Sequence, residues 1–221
     1  MISIISTVVL LVTLFEMQAA RNATYMPDVA LSSTEVAIAW DENGLPYVAA
    51  EDMEIISKII KEDTIVNSSP KMKIYNLGVG IARNISFKWE KSRNIKQFMN
   101  ILNGSADIEV SVDDGLINIK TPRMEYGIWE PDNVTMDMLL NSTEEYESLF
   151  FPYSYYQLIR EVYIGTGERR IPDVCLTISF SDIQGKVYEK HMQINTQISF
   201  MKQNADGSGF CVFYLVPSKV K

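Results

Sequence analysis

The chain of 221 residues carries 28 acidic and 20 basic side chains, for a net charge of −8, with 47% hydrophobic and 10% aromatic content. That composition can fill a core and excludes a wholly disordered tail; the acidic balance argues against nucleic acid as a partner, which needs clustered Lys and Arg. Two cysteines with no Cys-x-x-Cys or Cys/His grouping make neither a disulfide scaffold nor a metal set.

The N-terminus is the most informative segment. Ile2–Phe15 holds ten Ile, Val, Leu or Phe residues and no charge. As a helix those fourteen residues span about 21 Å. Adding Glu16–Ala20 brings the length to about 28 Å, close to the bilayer core of about 30 Å. An uncleaved membrane anchor over residues 2–20 is therefore expected. The rivals are a cleaved signal peptide, which lacks its positive n-region here, and a buried helix. Residues 1–21 are read as the anchor and 22–221 as one domain. Arg21 follows the apolar run and no cationic side chain precedes it, which places the large domain in the cytoplasm by the positive-inside rule. Six N-x-S/T triplets, at Asn22, Asn67, Asn84, Asn103, Asn133 and Asn141, would be glycan acceptors in a secretory setting. Asn84 sits inside a strand pattern, where a glycan is awkward. An Asn/Ser-rich chain that never meets the glycosylation machinery is the simpler reading.

Beyond the anchor, Val29–Trp40 and Tyr47–Ala50 read as early strands, divided by Asp41–Gly44 and Pro46. Met53–Lys61 carries Ile55, Ile56, Ile59 and Ile60 on a helical stripe, and Asn67–Pro70 is a loop. Lys73–Leu77 is a strand leading into Gly78-x-Gly80. A phosphate-cradling loop would open a helix after those glycines. Instead Ile85, Phe87 and Trp89 alternate with polar residues, the period of a half-buried strand. The glycines thus turn a chain, through positive φ or close backbone approach. Ser92 is a candidate N-cap for a helix carrying Ile95, Phe98, Met99 and Leu102, closed by Asn103-Gly104. Ile108, Val110 and Val112 alternate into Asp113-Asp114-Gly115, a hairpin turn to Leu116–Lys120. Residues 130–150 read as an acidic loop. Ser154 is a second candidate cap, for a helix with Tyr155, Leu158, Ile159, Val162 and Tyr163 on one face and Gly165 at its end. Val174–Phe180 alternates, Asp182–Gly185 turns, and Tyr188, Met192, Ile194, Ile198 and Phe200 share one face of a long strand. A last strand covers Phe210–Val216.

Many short strands with polar outer faces and two or three short helices predict a mainly β fold, an antiparallel immunoglobulin-like sandwich preceded by one transmembrane helix. The pattern Asn76-x-Gly78-x-Gly80-x-Ala82-x-Asn84 resembles the strand–turn–strand of immunoglobulin-like bacterial domains. Ser181–Tyr188, leading into a long alternating strand, resembles uncharacterised single-pass membrane-anchored proteins of low-GC Gram-positive bacteria. The resemblance implies a fold and an anchor and brings no catalytic residue with it. The cysteine–tryptophan–cysteine hallmark of true immunoglobulin domains is absent.

The candidate sites are few. His191, the only histidine, falls on the polar face of a strand and reads as a surface residue. Asn204-x-Asp206-x-Ser208 mimics the start of a calcium loop, but Leu215 stands where the bidentate carboxylate is required. Glu144, Glu145 and Glu147 read as a solvated cluster. Cys175 and Cys211 can pair only if their strands are neighbours. No catalytic, cofactor-binding or metal-binding residue is assigned. The aromatic run from Phe150 to Tyr156 is the remaining signal: core packing of the following helix is its first reading, and partner recognition the alternative, with Phe150, Phe151, Tyr153 and Tyr156 as the candidate partner-binding residues. The function expected is a membrane-tethered, non-enzymatic binding or accessory module with a protein partner. The alternative is a cell-surface or secreted adhesion glycoprotein.

Overall fold

The computed structural model describes residues 8–18, 25–42, 46–50, 71–104, 107–122, 125–129, 131, 133–166 and 170–220. The helix expected over Met53–Lys61, the loop at Asn67–Pro70, and Arg21, Asn22 and Asn67 lie outside these residues. Of the anchor expected over residues 2–20, only a helix over 8–18 (α1) is described. Among the described residues no helix is long and apolar enough to cross a membrane.

The body of the protein is mainly β, and its strands pair antiparallel in three sheets. The largest has seven strands in the order β3 (Pro46–Ala50), β2 (Thr34–Trp40), β13 (Gly209–Lys219), β12 (Val187–Gln203), β11 (Val174–Ser181), β5 (Ala82–Trp89) and β9 (Asn133–Leu139). A second sheet runs β1 (Val29–Leu31), β4 (Lys71–Asn76), β10 (Ser142–Phe150). The third is the meander β6 (Glu109–Asp113), β7 (Leu116–Lys120), β8 (Glu125–Trp129). Helices α2 (Lys91–Leu102) and α3 (Tyr153–Thr166) complete the domain. One core cluster joins all three sheets to both helices, with Ile74, Phe87, Ile119, Phe98, Tyr155 and Phe213 among its members. Trp89, Phe151 and Tyr155 meet edge to face, with ring centroids 5.5–6.0 Å apart.

The sequence patterns predict the strongly alternating elements and miss where the chain changes sheet. The single strand expected over Val29–Trp40 divides at Ser32–Ser33, so that β1 joins β4 while β2 joins β13. The acidic loop expected over residues 130–150 is two strands, β9 and β10. Both are edge strands, and only Leu139 and Leu149 in them are buried, so no apolar alternation marks them. Helix α2 starts one residue before Ser92. Glu90 occupies the N-cap without a side-chain cap bond; its carboxylate accepts instead from Arg93 and Thr177 Oγ1, and its N–H donates to the Cys175 carbonyl. Ser154 likewise lies inside α3 and is buried, and Gly165 falls in the last turn instead of ending the helix. Residues 154–159 are all buried, so this helix is covered on more than the one face expected.

In β12 the pairing with β13 slips between Ile198 and Phe200. This bulge reverses the alternation. Phe200, expected inward with Ile194, is instead 49% exposed and lies against Phe210 at 5.4 Å, while Met201 packs on the core. The hairpin at Asp114-Gly115 matches its sequence: both residues take positive φ, 45° and 81°.

Candidate binding surface

The Gly78-x-Gly80 turn connects β4 of the small sheet to β5 of the large one. Neither glycine takes positive φ. Their need is close approach: a Cβ on Gly78 would overlap the Met26 carbonyl oxygen, and one on Gly80 the Tyr25 carbonyl oxygen. Asn76 organises this junction from a buried position. Its Oδ1 accepts from the N–H groups of Asp28 (3.0 Å) and Gly78 (3.2 Å), and its Nδ2 donates to the carbonyls of Gly80 (2.6 Å) and Leu139 (3.2 Å). One amide therefore satisfies four backbone groups from three separate segments. The turn is structural, and no helix follows it to receive a phosphate.

The four candidate partner-binding residues separate. Phe151 and Tyr156 are fully buried among Trp89, Tyr155 and Phe213, in keeping with core packing of this run and against their candidacy as partner-binding residues. Phe150 and Tyr153 are exposed, by 50% and 37%. The alternation of β10 explains the division: Leu149 pairs with Met72 on the inner face, while Phe150 pairs with Lys71 on the outer. The outer face of β4 and β10 carries more than Phe150. Lys71 lies over the Phe150 ring at 5.1 Å, Lys73 over Tyr146 at 4.4 Å, and Tyr75 meets Tyr146 at 5.9 Å. Tyr146 is 47% exposed. The result is a ladder of three rings with two ammonium groups on them. Sequence reasoning missed Tyr75 and Tyr146, because residues 130–150 read as a loop and no strand face is thereby assigned to Tyr146. Glu144, Glu145 and Glu147 are exposed on the same strand, and the N–H groups of Glu144 and Glu145 are taken by Ser142 Oγ.

The other sequence candidates are dispersed. His191 is a surface residue of β12, its Nε2 3.1 Å from Glu189 and its Nδ1 3.1 Å from Thr177 Oγ1. Asn204–Ser208 is a polar hairpin in which Asp206 accepts from the Ser208 N–H and hydroxyl; these bonds hold its carboxyl below the usual range. Among the described residues no group of His, Cys, Asp or Glu could hold a metal ion. Cys175 and Cys211 are free and buried, on strands separated by β12. Burial pushes the Cys211 thiol up to about 12, so it holds no thiolate at neutral pH. The amides of Asn84, Asn103 and Asn133 are engaged with Ser181, Val110 and Ser86.

A buried polar group on α3 escaped the sequence reading altogether. Arg160 and Glu161 pair at 2.7 Å with side chains only 9% and 7% exposed. The guanidinium lies 5.7 Å from the Trp40 ring, and Gln157 accepts from the Tyr126 hydroxyl at 3.2 Å. Burial raises the Glu161 carboxyl against the opposing pull of Arg160, and burial with Glu161 raises the Tyr126 hydroxyl. Adjacent Arg-Glu on a helix ordinarily reads as a solvated pair. Only the burial of α3 from several sides makes it otherwise. No protein-family model matches the chain, and no curated protein matches it significantly.

Proposed function

We propose that this protein is a membrane-tethered, non-enzymatic binding module. Its N-terminal apolar segment is the anchor in the membrane, and a sandwich of immunoglobulin-like character presents the β4–β10 face to a protein partner. The observation that carries the tether is α1. Its large apolar side chains, from Val8 to Met17, are all 49–68% exposed, and none belongs to the core cluster. A helix apolar all round needs an apolar surrounding, and the domain core does not supply one. With 2–7 and 19–20 added from the sequence, the segment reaches bilayer length. The face carries the second half of the reading. Exposed Tyr and Phe on a rigid strand pair supply contact area at little entropic cost, and Lys71 and Lys73, with the exposed Glu144, Glu145 and Glu147 of β10, give it a mixed-charge setting that suits a protein partner.

Fractionation of cells producing the full chain tests the tether. The protein should stay with membranes in high salt and leave only in detergent, because apolar burial is not screened by ions. Leu11→Arg with Leu14→Arg should release it. Release of the wild-type chain by salt alone would reject the anchor. For the face, Tyr146→Ala with Phe150→Ala should abolish crosslinking to partner in those membranes, while Tyr214→Ala leaves it intact.

A further inference from the structure

One group of the domain's exposed apolar side chains gathers at one end of it, apart from those on the meander, the β4–β10 face and the β12 bulge. That end is defined by strand register: Ala82 of β5 pairs with Leu139 of β9, Arg83 with Ser181 of β11, and Ser181 with Val187 of β12. At it lie the Gly78–Gly80 turn, the β9–β10 turn and the β11–β12 turn. Leu77 and Val79 are 55% and 60% exposed in the first, Leu140 is 49% exposed in the second, and Val187 is 71% exposed just beyond the third. An isolated bridge between Asn76 and Asn141 sets Leu140 beside Leu77. Met26, also exposed, is held against the same turn by the Gly80 N–H. The opposite end of the sheet, at the β12–β13 hairpin, offers Gln203, Asn204, Asp206 and Ser208 instead.

This apolar end is also where the chain leaves for α1. From residue 18, the last described in α1, to Tyr25 is seven steps of chain, and at about 3.5 Å per residue so short a stretch keeps the end within about 25 Å of the anchor. Charge at the end is sorted in the same sense. Arg83 and Lys186 are exposed there, whereas Asp28 is paired with Lys190. Asp182 is turned into its own loop, accepting from the Gln184 and Lys186 N–H groups and the Tyr188 hydroxyl. Apolar tips flanked by the exposed Arg83 and Lys186 suit the boundary between acyl chains and anionic headgroups.

We infer that this end of the domain is a membrane seat: the three turns rest in the bilayer interface and hold the domain upright on its anchor. The inference rests on the tether and adds an orientation, since the β4–β10 face then stands beside the membrane plane. The Asn76 junction stiffens the turn that carries Val79, so that side chain is presented without an ordering cost.

Full-length chains bearing Val79→Cys, Val187→Cys or Ala205→Cys, each labelled with a polarity-sensitive fluorophore, are reconstituted in vesicles of zwitterionic and anionic phospholipid. Labels at 79 and 187 should shift to the blue and be quenched by a headgroup nitroxide lipid, while the label at 205 behaves as in water. Vesicle flotation in high salt is read on the same samples. Flotation with all three labels equally aqueous overturns the seat and leaves the tether standing. Loss of flotation overturns the tether, and the seat with it.

Discussion

Asn76 shows how much one amide can hold. Removing it in Asn76→Ala leaves the Asp28 and Gly78 N–H groups and the Gly80 and Leu139 carbonyls without that partner in a buried site. At about 1–3 kcal/mol for each orphaned group that stays dry, the loss should be about 3 kcal/mol or more, read as a lowered urea midpoint. Gly80→Ala should cost about 1–3 kcal/mol through overlap with the Tyr25 backbone, which cannot rotate away as a side chain would. An unchanged midpoint in either would mean that the junction is looser than its hydrogen bonds imply. Glu161 gives a pH signature. Its carboxyl is raised by burial, so the folded protein binds that proton more tightly than the unfolded chain. The stabilisation is fully present below the ordinary value of 4.5 and is lost as pH rises through the folded value. Glu161→Gln has no such loss. The midpoint of the variant relative to wild type should therefore climb as pH rises from about 4 towards neutral. A difference that is flat with pH would show Glu161 to be solvated.

At the scale of an element, β12 carries both a success and a failure of pattern reading. Ile194 lies on the buried face and Gln193 on the other, as their alternation predicts. Ile194→Asp should cost about 3 kcal/mol or more, whereas Gln193→Leu should stay within about 0.5 kcal/mol. Phe200→Ser, which strict alternation would rank with Ile194, should cost about 1 kcal/mol or less because the bulge has turned that ring outward. Chemical denaturation of the three variants separates these outcomes, and a large loss at Phe200 would contradict the bulge. The difference between legible and hidden elements follows from burial. Residues 174–180 and 192–196 carry their large apolar side chains on alternate positions and leave a period of two; α2 buries Ile95, Phe98 and Leu102 and leaves a helical stripe. Strands β9 and β10 bury one large apolar residue each and leave no period, and the aromatic ladder on β4–β10 was hidden with them. Phe150 of the ladder and Tyr153 of α3 were legible as aromatics, but their separation from buried Phe151 and Tyr156 depends on pleat and helix phase that composition does not encode.

For the whole molecule, a single core cluster shared by three sheets and two helices implies one cooperative unit. Trp40 and Trp89 are buried near opposite ends of the large sheet, and Trp129 is exposed on the meander. Tryptophan fluorescence and backbone circular dichroism should therefore report coincident urea transitions for the domain; two separated transitions would split the meander from the rest. The short strand β1 has a different kind of consequence, a mechanical one. Tension drawn through the N-terminal segment enters at Tyr25 and meets the Gly80 N–H bond to the Met26 carbonyl, then the Asp28–Lys190 ion pair, the Asp28 N–H bond to Asn76, and three residues paired only with β4. Behind them, β2 is fastened along seven residues to β13, which shares eleven register positions with β12. The molecule is thus built as a weak link in series with a strong one. Pulled from its N-terminus, it should first pay out a short length of chain at low force as β1 peels, and yield the large sheet only in a second, higher-force event.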